Sequence, residues 1–465
     1  MIVMKFGGTS IEDAKAIRNV SQIVRRHLAR RPIVVASACA GVTNDLIALA
    51  KGALSGTRGK SLEMVEQLRV RHRKIAHELF TGDLLYTVQS QIDAMLDELR
   101  DLVRSIAILG ELTDRSLDTF ASFGEKLSSI LLYHHLAQSG TEAVLVNAQE
   151  IIITNNEFTK AVPVFDEIER RAHAAIRPKI EAGQVVVTQG FLGATAEGVP
   201  TTIGRGGSDY SAALLGAALK AEEIQIWTDV DGIMTCDPRV VVGARLIDEM
   251  TFQEAAELAY FGARVLHPST ILPAVQKGIP VRVLNARRPE AQGTVIVRQA
   301  KDSSGETVKA IAFKEHITLI TIVSTRMLMM HGFLAKVFEV FARYEKSVDV
   351  IATSEVSISL TVDTERDVDS VVHDLQRIAD VELIPRKAIL CVVGESLKAT
   401  KGIIARIFST LDKHDIGVSL ISLGGSEINV TFVVDEGDVR RGARVLHEEF
   451  FGRPDSRPST TSRKV

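Results

Sequence analysis

The sequence predicts an α/β protein: a three-layer αβα domain with a mostly parallel sheet, followed by two small ferredoxin-like units. Two observations carry this prediction. Short apolar runs alternate with helical patterns up to about residue 300, as in a parallel sheet covered on both faces. Beyond that point the sequence contains an internal repeat, and each copy has the strand–helix–strand–strand–helix order of a ferredoxin-like unit.

In the first part of the chain, the apolar run Ile2–Met4 is followed by further runs that we expect to be buried strands. These are residues 33–36, 143–146, 184–188 and 224–227. Residues 51–115 predict an amphipathic helical hairpin over the core. The basic run Arg69, Arg71, His72, Arg73 and Lys74 is expected on its solvated face.

The repeat is visible in three pairs of segments at a constant spacing. It aligns 332–338 with 402–408, 348–351 with 418–421, and 357–362 with 427–432. The polar segment 301–306, which contains Ser and Gly, is the expected linker between the two parts. The tail 453–465, rich in Ser, Thr, Arg and Pro, is expected to be disordered.

Composition and charge limit the classes of function. The 465-residue chain has a formal net charge of −3, which indicates neither a nucleic acid nor a membrane as partner. Cys39, Cys236 and Cys391 are far apart and form no CxxC pair, which favours a reducing compartment without a disulfide framework or thiolate metal site. An N-terminal strand in place of a signal peptide, and the lack of any apolar run of spanning length, predict a cytoplasmic protein.

Two glycine-rich segments indicate the chemistry. Lys5-Phe6-Gly7-Gly8-Thr9-Ser10 follows the first strand, and its glycines lack a Cβ, so that backbone N–H groups can approach phosphate oxygens closely. The second segment runs from Thr202 to Tyr210 and leads into an apolar helical run. Neither is a Walker A or Rossmann motif. Two such loops with a lysine point to phosphoryl transfer.

Further motifs accompany these loops in a specific order. They are 37–44 (SACAGVTN), 122–125 (SFGE), 227–232 (WTDVDG), 237–240 (DPRV) and 261–268 (FGARVLHP). With the two loops, they resemble the aspartate kinases of the amino acid kinase family. The two C-terminal units resemble ACT domains, and 347–349 with 353–355 resembles the lysine-sensitive monofunctional form.

The resemblance implies ATP-dependent phosphorylation of the β-carboxylate of L-aspartate to 4-phospho-L-aspartate, the first step towards lysine, threonine and methionine. It implies ATP and Mg²⁺ as cofactors, with Mg²⁺ held mostly by nucleotide and water oxygens and no protein ligand assigned. It also implies a homodimer or a higher assembly, with feedback by an amino acid at the ACT domains. Lysine is the favoured effector and threonine the alternative.

The implied domains are a kinase domain at 1–300, a first ACT domain at 317–386, and a second ACT domain at 305–316 and 387–452. In this arrangement the strand 308–313 joins the second unit, so that the first unit is inserted in the second.

Site residues follow from the resemblance position by position. Catalytic roles fall to Lys5 and Asp209. ATP would contact Lys5, Phe6, Gly7, Gly8, Thr228, Asp229, Met234, Arg239, Arg264 and Val265. Aspartate would contact Ser37, Thr43, Glu125, Arg205 and Ser208. The effector would contact Met327, Met330, Gly332, Phe333, Leu334, Ser347, Val348, Asp349, Ser354 and Glu355.

The chemistry of these residue types fits the implied roles. A carboxylate is already ionised at neutral pH, so the reaction needs alignment and charge stabilisation, the latter from Lys5, rather than a general base. Arg205 can hold the α-carboxylate through two hydrogen bonds. Glu125, expected at a helix start just after Gly124, would meet the α-ammonium. In the repeat, Ser419 replaces Asp349, so that only the first unit offers a carboxylate to the effector.

Three positions depart from the family pattern, and other interpretations stay open. Met234 stands where an aromatic residue is frequent, Arg264 where the lysine-sensitive form often has lysine, and Met330 where it has a small hydroxyl. Another amino acid kinase, acting on glutamate, N-acetylglutamate or a nucleoside monophosphate, is one alternative. A non-catalytic amino-acid sensor is a second. Asp209 could be a simple helix cap, and the repeat could serve dimerisation alone.

Overall fold

A computed structural model describes residues 1–262, 266–300, 307–324, 327, 331–363, 368–423 and 427–452. The predicted linker 301–306 and the predicted disordered tail 453–465 lie outside these residues. The chain divides into two compact units. The first comprises Met1–Ile233, Asp248–Phe252 and Val265–Lys301, and the second comprises Met234–Ile247, Gln253–Arg264 and Asp302–Val465.

Within the described residues, the first unit is built on an eight-stranded sheet of order β3-β4-β2-β1-β7-β9-β10-β8. Its strands are β1 (Ile2–Phe6), β2 (Pro32–Ala36), β3 (Ala143–Val146), β4 (Val185–Gln189), β7 (Glu223–Thr228), β8 (Glu249–Thr251), β9 (Val281–Asn285) and β10 (Thr294–Val297). All neighbours are parallel except β9 and β10. A small hairpin of β5 (Leu192–Ala194) and β6 (Pro200–Thr202) lies apart from this sheet.

Helices surround this sheet. They are α1 (Ala14–Arg26), α2 (Val42–Leu54), α3 (Arg58–Leu79), α4 (Gly82–Leu109), α5 (Asp114–Gln138), α6 (Ala148–Ile151), α7 (Phe165–Ala175), α8 (Arg177–Glu181), α9 (Gly207–Leu219) and α11 (Leu272–Lys277). Capping side chains set two helix starts: Asp13 accepts from the N–H of Ala16 at 2.8 Å, and Thr113 accepts from the N–H of Ser116 at 3.1 Å. The hairpin predicted for 51–115 is the pair α3 and α4.

Two details of the first unit differ from the sequence prediction. Residues 143–146 form a strand, but three of the four are only half-buried because β3 is the edge of the sheet. The basic run on α3 is not a uniformly solvated face. Arg69 is buried among Glu66, Asp93 and Asp97, and His72 is fully buried.

In the second unit, the described residues form a six-stranded antiparallel sheet of order β12-β13-β11-β14-β16-β15. The strands are β11 (Val308–Val323), β12 (Ile351–Thr353), β13 (Ser357–Asp363), β14 (Asp380–Gly394), β15 (Val418–Ser422) and β16 (Asn429–Asp435). Its helices are α10 (Phe252–Tyr260), α12 (Phe333–Arg343), α13 (Asp369–Gln376), α14 (Ile403–Lys413) and α15 (Val439–Phe451).

The long strands β11 and β14 each serve both repeats. The first half of β11, residues 308–314, pairs with residues 389–394, and its second half pairs with β13 and with the first half of β14. Each strand contains a residue with positive φ, 61° at His316 and 56° at Arg386, and the pairing of the two strands shifts register there. The α/β fold and the repeated ferredoxin-like units are confirmed.

The repeat needs one adjustment in register. Helices α12 and α14 start at Phe333 and Ile403, which are equivalent positions in the predicted alignment. Strand β13 starts at Ser357, but β16 starts at Asn429 and not at Glu427, its predicted equivalent. The predicted alignment of 357–362 with 427–432 is therefore wrong by two residues, because the second repeat has a longer segment before its last strand.

Candidate active site

A cavity of about 760 Å³ lies at the carboxyl ends of β1, β2 and β4 in the first unit. This edge is where ligands bind in open α/β sheets. Eight of the predicted residues line the cavity: Lys5, Gly8, Ser37, Thr43, Glu125, Arg205, Ser208 and Asp209. Segments that are distant in the sequence therefore meet at one place.

Lys5 and Asp209 join the two glycine-rich loops. Lys5 lies on β1, between β2 and β7, and Asp209 lies in the first turn of α9. The Lys5 Nζ is 2.7 Å from the Asp209 Oδ1, and the two side chains are only 12% and 14% exposed. A carboxylate in the first turn of a helix is also stabilised by the free N–H groups there. The pair places a fixed cation at the cavity wall.

The first glycine-rich loop packs tightly against the loop that follows β2. A Cβ added at Gly8 would lie 2.8 Å from the carbonyl oxygen of Ala38, so only glycine fits without a shift. The N–H of Gly7 donates to the Trp227 carbonyl oxygen at 3.0 Å. Contrary to the sequence prediction, the Gly7 N–H is therefore not available to donate to a phosphate, because it is bonded to β7.

Glu125 lies in the middle of α5, not at a helix start, and that prediction is wrong. Gly124 precedes it because a Cβ there would come within 2.7 Å of the Ala38 side chain, not because the helix begins there. The Glu125 side chain is 3% exposed, and its Oε2 has no hydrogen-bond partner among the described residues. Burial raises the pKa of Glu125 to about 8, although the backbone N–H groups of Ala38 and Glu125 act in the opposite direction. An unpaired buried carboxyl group that faces a cavity is suited to a cationic ligand.

The other predicted aspartate ligands lie around the same cavity. Arg205 is exposed in the loop between β6 and α9, and Ser208 lies in the first turn of α9. Ser37 directly follows β2, and its carbonyl oxygen accepts from the Ser128 Oγ at 2.6 Å. Thr43 lies in the first turn of α2 rather than in the loop before it.

The predicted nucleotide residues fall into three groups. Phe6, at the end of β1, is fully buried and stacks on Trp227 at a centroid distance of 5.9 Å. Thr228 ends the neighbouring strand β7, and Asp229 directly follows that strand. Met234 and Arg239 belong to the second unit, where the exposed Arg239 binds Asp237 at 2.7 Å. Arg264 and Val265 lie outside the described residues.

The predicted effector residues lie in the first repeat. Ser347, Val348 and Asp349 precede β12, and Ser354 and Glu355 lie between β12 and β13. Gly332 precedes α12, whose first residue Phe333 is buried and whose second residue Leu334 is exposed. Met327 is half-buried and packs against the core of this repeat, whereas Met330 lies outside the described residues. The side chain of Asp349 is almost fully buried, with 4% of it exposed.

Comparison with known proteins matches both units. Residues 1–285 match the model of the amino acid kinase family, and residues 320–377 and 390–450 match an ACT domain model. Chloroplastic aspartokinase 2 of Arabidopsis thaliana is 38% identical over 97% of this chain and 84% of its own length. The lysine-sensitive aspartokinase 3 of Escherichia coli K12 is 36% identical over 97% of this chain and 99% of its own.

The chain belongs to the aspartokinases.

Solved aspartokinase structures agree with this assignment. E. coli aspartokinase III in complex with aspartate and ADP matches with a TM-score of 0.82 at 36% identity, over 97% of this chain and all of that chain. The same enzyme in complex with lysine and aspartate also matches with a TM-score of 0.82, over 97% of this chain and 99% of that chain. Within the described residues, none of the helices is both long and apolar enough to span a membrane.

Two residues of this aspartokinase cavity escape prediction from the sequence. Asp118, buried on α5, accepts from the N–H of Thr159 at 2.9 Å, the N–H of Thr202 at 3.0 Å and the Thr202 Oγ1 at 2.6 Å. It lies about two helical turns before Glu125, and this helical spacing is the signal that could have identified it. Phe191 also lines the cavity. Its φ of 65° lies in the left-handed region, which is uncommon for a bulky residue and could not be predicted from the sequence.

Proposed function

We propose that this chain transfers the γ-phosphoryl group of ATP to the β-carboxylate of L-aspartate and is inhibited by an amino acid at its ACT repeats. The observation that carries the proposal is the Lys5–Asp209 pair in one cavity with the unpaired carboxyl group of Glu125 and with Arg205. These groups offer a cation for a transferred phosphoryl group and opposite charges for an amino acid zwitterion.

Aspartate would be held at both ends. The Arg205 guanidinium can grip the α-carboxylate through two parallel hydrogen bonds, and Glu125 accepts the α-ammonium in place of the partner it lacks. Ser37, Thr43 and Ser208 add neutral hydrogen-bonding groups around the same cavity. Held in this way, the side-chain carboxylate of aspartate is directed towards Lys5.

The phosphoryl transfer itself needs no general base, because the attacking carboxylate is ionised at neutral pH. The task of the protein is to bring two anions together and to stabilise charge on the transferred group. Lys5 provides the charge, and Asp209 fixes the position of its ammonium group. Gly8 lets the first loop pack closely against the loop after β2, because it has no side chain to collide with Ala38.

ATP would be bound by the first loop together with Thr228 and Asp229. Mg²⁺, when bound with ATP, would neutralise charge on the phosphates. We assign it to nucleotide and water oxygens, with no protein ligand named. Met234, Arg239, Arg264 and Val265 remain predicted nucleotide contacts.

Lysine is the effector we propose. A relative 36% identical to this chain is named lysine-sensitive, and a solved structure of E. coli aspartokinase III contains lysine. In this chain Asp349 is the carboxylate that we assign to the effector's ammonium group in the first repeat, whereas Ser419 stands at the aligned position of the second. A homodimer or larger assembly and a cytoplasmic location remain predictions.

The proposal is tested by measuring ADP formation with purified protein, ATP, Mg²⁺ and one acceptor at a time. We expect turnover with L-aspartate, and none above background with L-glutamate, N-acetylglutamate, a nucleoside monophosphate or no acceptor. Turnover with another acceptor alone would assign the chain to a different amino acid kinase activity. No turnover with any acceptor, despite binding of aspartate, would favour the amino-acid sensor.

A further inference from the structure

The carboxylate of Asp349 already has two partners. The Lys314 Nζ lies 2.9 Å from its Oδ2 and 3.0 Å from its Oδ1, and the Tyr260 hydroxyl donates to its Oδ1 at 2.7 Å. Lys314 also binds Asp363 at 2.8 Å, and its ammonium lies 5.6 Å from the centre of the Tyr260 ring. One lysine is therefore shared by two carboxylates, and a neutral hydroxyl completes the cluster.

The second repeat contains a cluster of similar composition with one charge fewer. Lys387 binds Asp435 at 2.6 Å and the Ser419 Oγ at 2.8 Å. Ser419 occupies the place of Asp349, and Asp435 that of Asp363. The two lysines do not occupy equivalent positions, because Lys387 lies opposite Asp435 in the strand register where Ile317 lies opposite Asp363. In the second repeat the charge of the lysine is balanced by a single carboxylate. In the first repeat the cluster carries an excess of one negative charge.

Burial and the Asp349 carboxylate both raise the pKa of Tyr260, so the hydroxyl keeps its proton and acts as the donor. Burial lowers the pKa of Lys314, but its hydrogen bonds to Asp363 and Asp349 outweigh that effect and leave the pKa raised. The cluster is therefore one ammonium, two carboxylates and one neutral hydroxyl at neutral pH. A ligand with a net charge of +1 would balance it.

Tyr260 is the last residue of α10, and this helix lies against both repeats. Glu254 binds Lys309 on β11 at 3.0 Å, and the Asn429 side chain on β16 donates to Glu257 at 2.6 Å. A Cβ at Gly262 would collide with the Phe313 carbonyl oxygen, next to Lys314, so the chain beyond α10 also touches β11 closely. The Tyr260–Asp349 bond ties the end of α10 to the first repeat.

We propose that the Tyr260 hydroxyl occupies the place of an effector ammonium at Asp349, and that a diamino acid such as lysine inhibits by displacing this hydroxyl and releasing the end of α10. The inference rests on the proposed function and deepens it, because it names the charge class of the effector and the residue that responds to it. Lysine carries a net charge of +1 and balances the cluster, whereas an amino acid with a neutral side chain does not. Lysine inhibits because the Tyr260–Asp349 hydrogen bond is present in the active arrangement of the protein and is lost when the effector binds.

Tyr260→Phe tests the displacement. This variant keeps the ring and removes the competing donor, so the dissociation constant of lysine should fall roughly tenfold, the scale of one hydrogen bond to a charged group. The half-inhibitory concentration of lysine should fall with it. Tyr344→Phe is the matched control, since the Tyr344 hydroxyl donates to Asp374 at 3.0 Å in the same repeat. It should leave both quantities unchanged.

The charge class is tested on the wild-type chain by calorimetry with L-lysine and L-norleucine, which has the same carbon skeleton without the second ammonium. We expect norleucine to bind at least about a hundredfold more weakly, the scale of losing one partner of a buried charge pair. Equal binding of both ligands, no binding of lysine, or an unchanged or weaker lysine affinity in Tyr260→Phe would each overturn the inference. Calorimetry needs no turnover, so a failure to phosphorylate aspartate would count against the proposed function instead.

Discussion

Asp118 and Glu125 project from the same face of α5 and line the same cavity, but their environments are opposite. The Asp118 carboxylate accepts three hydrogen bonds from Thr159 and Thr202, whereas the Glu125 Oε2 accepts none among the described residues. Asp118 therefore has a structural task in the free protein, and Glu125 is left for a ligand. One helix thus fixes the second glycine-rich loop and presents a binding group.

Replacement of Asp118 should weaken aspartate binding through the loop that carries Arg205. We expect Asp118→Ala to raise the KM for aspartate at least about tenfold, because it leaves buried donors of that loop unpaired. Asp118→Asn should restore most of the affinity, since an amide oxygen can accept from both N–H groups while its NH₂ donates to Thr202. Steady-state kinetics with each substrate varied, and melting temperatures of both variants, check this. An equal KM in both variants would contradict it.

Glu125 should make aspartate binding depend on pH. Its pKa of about 8 means that the carboxyl group is mostly protonated at pH 7, and binding of an ammonium group favours its ionised form. At a pH below this pKa, Glu125 must therefore lose its proton each time an aspartate binds. The KM for aspartate should therefore fall as pH rises from 6 to 8, by up to about tenfold per unit, and level off above 8.

The control for this profile is Glu125→Gln, which removes the titrating group at nearly constant size. Its KM for aspartate should be higher and flat over the same pH range. A flat profile in the wild type, or the same slope in Glu125→Gln, would show that another group controls binding.

Arg205 should act on aspartate and not on the nucleotide. Because we assign it to the α-carboxylate, Arg205→Ala should raise the KM for aspartate strongly, while the calorimetric affinity for ATP changes little. Arg177→Ala, which removes an exposed arginine of α8, is the control and should change neither. A large loss of ATP binding with intact aspartate binding would move Arg205 to the phosphates.

Asp349 should control inhibition through its charge. Asp349→Asn can still accept from the Tyr260 hydroxyl but no longer attracts an ammonium group, so the ratio of activities with and without lysine should approach one. Asp374→Asn removes another carboxylate of the same repeat, one bound by Arg343 and Tyr344, and should stay inhibited. Dose–response curves for lysine and threonine with each variant check this, and inhibition of the wild type by threonine alone would refute lysine as effector.

Patterns within short segments allowed much of the fold to be predicted. The strands of the parallel sheet are apolar runs, and the repeat is visible because the equivalent helices start at aligned positions, Phe333 and Ile403. Lys5 and Asp209 were expected together because each belongs to a glycine-rich loop of a recognisable family pattern. The burial of Arg69 and His72 could not be predicted, because it depends on how α3 packs on its neighbours.

The rest of the candidate site depends on contacts between distant segments. The helix around Glu125 could not be predicted because Gly124 suggests a helix start when read alone, and its real cause is the Ala38 side chain. Asp118 contacts residues that lie far away in the sequence, and Tyr260 reaches Asp349 from a different part of the chain. The use of the Gly7 N–H by Trp227 is hidden for the same reason.

The most direct test of the central claim is the rate at which hydroxylamine traps β-aspartyl phosphate as a hydroxamate, compared between the wild type and Lys5→Ala. We predict hydroxamate formation from ATP and L-aspartate by the wild type. Lys5→Ala should be at least about a hundredfold slower while remaining folded, the scale expected for loss of one preorganised charge. Lys15→Ala, which removes an exposed lysine of α1 outside the cavity lining, should stay within about threefold of the wild type. Near-normal hydroxamate formation by Lys5→Ala, or none by the wild type, would contradict the account.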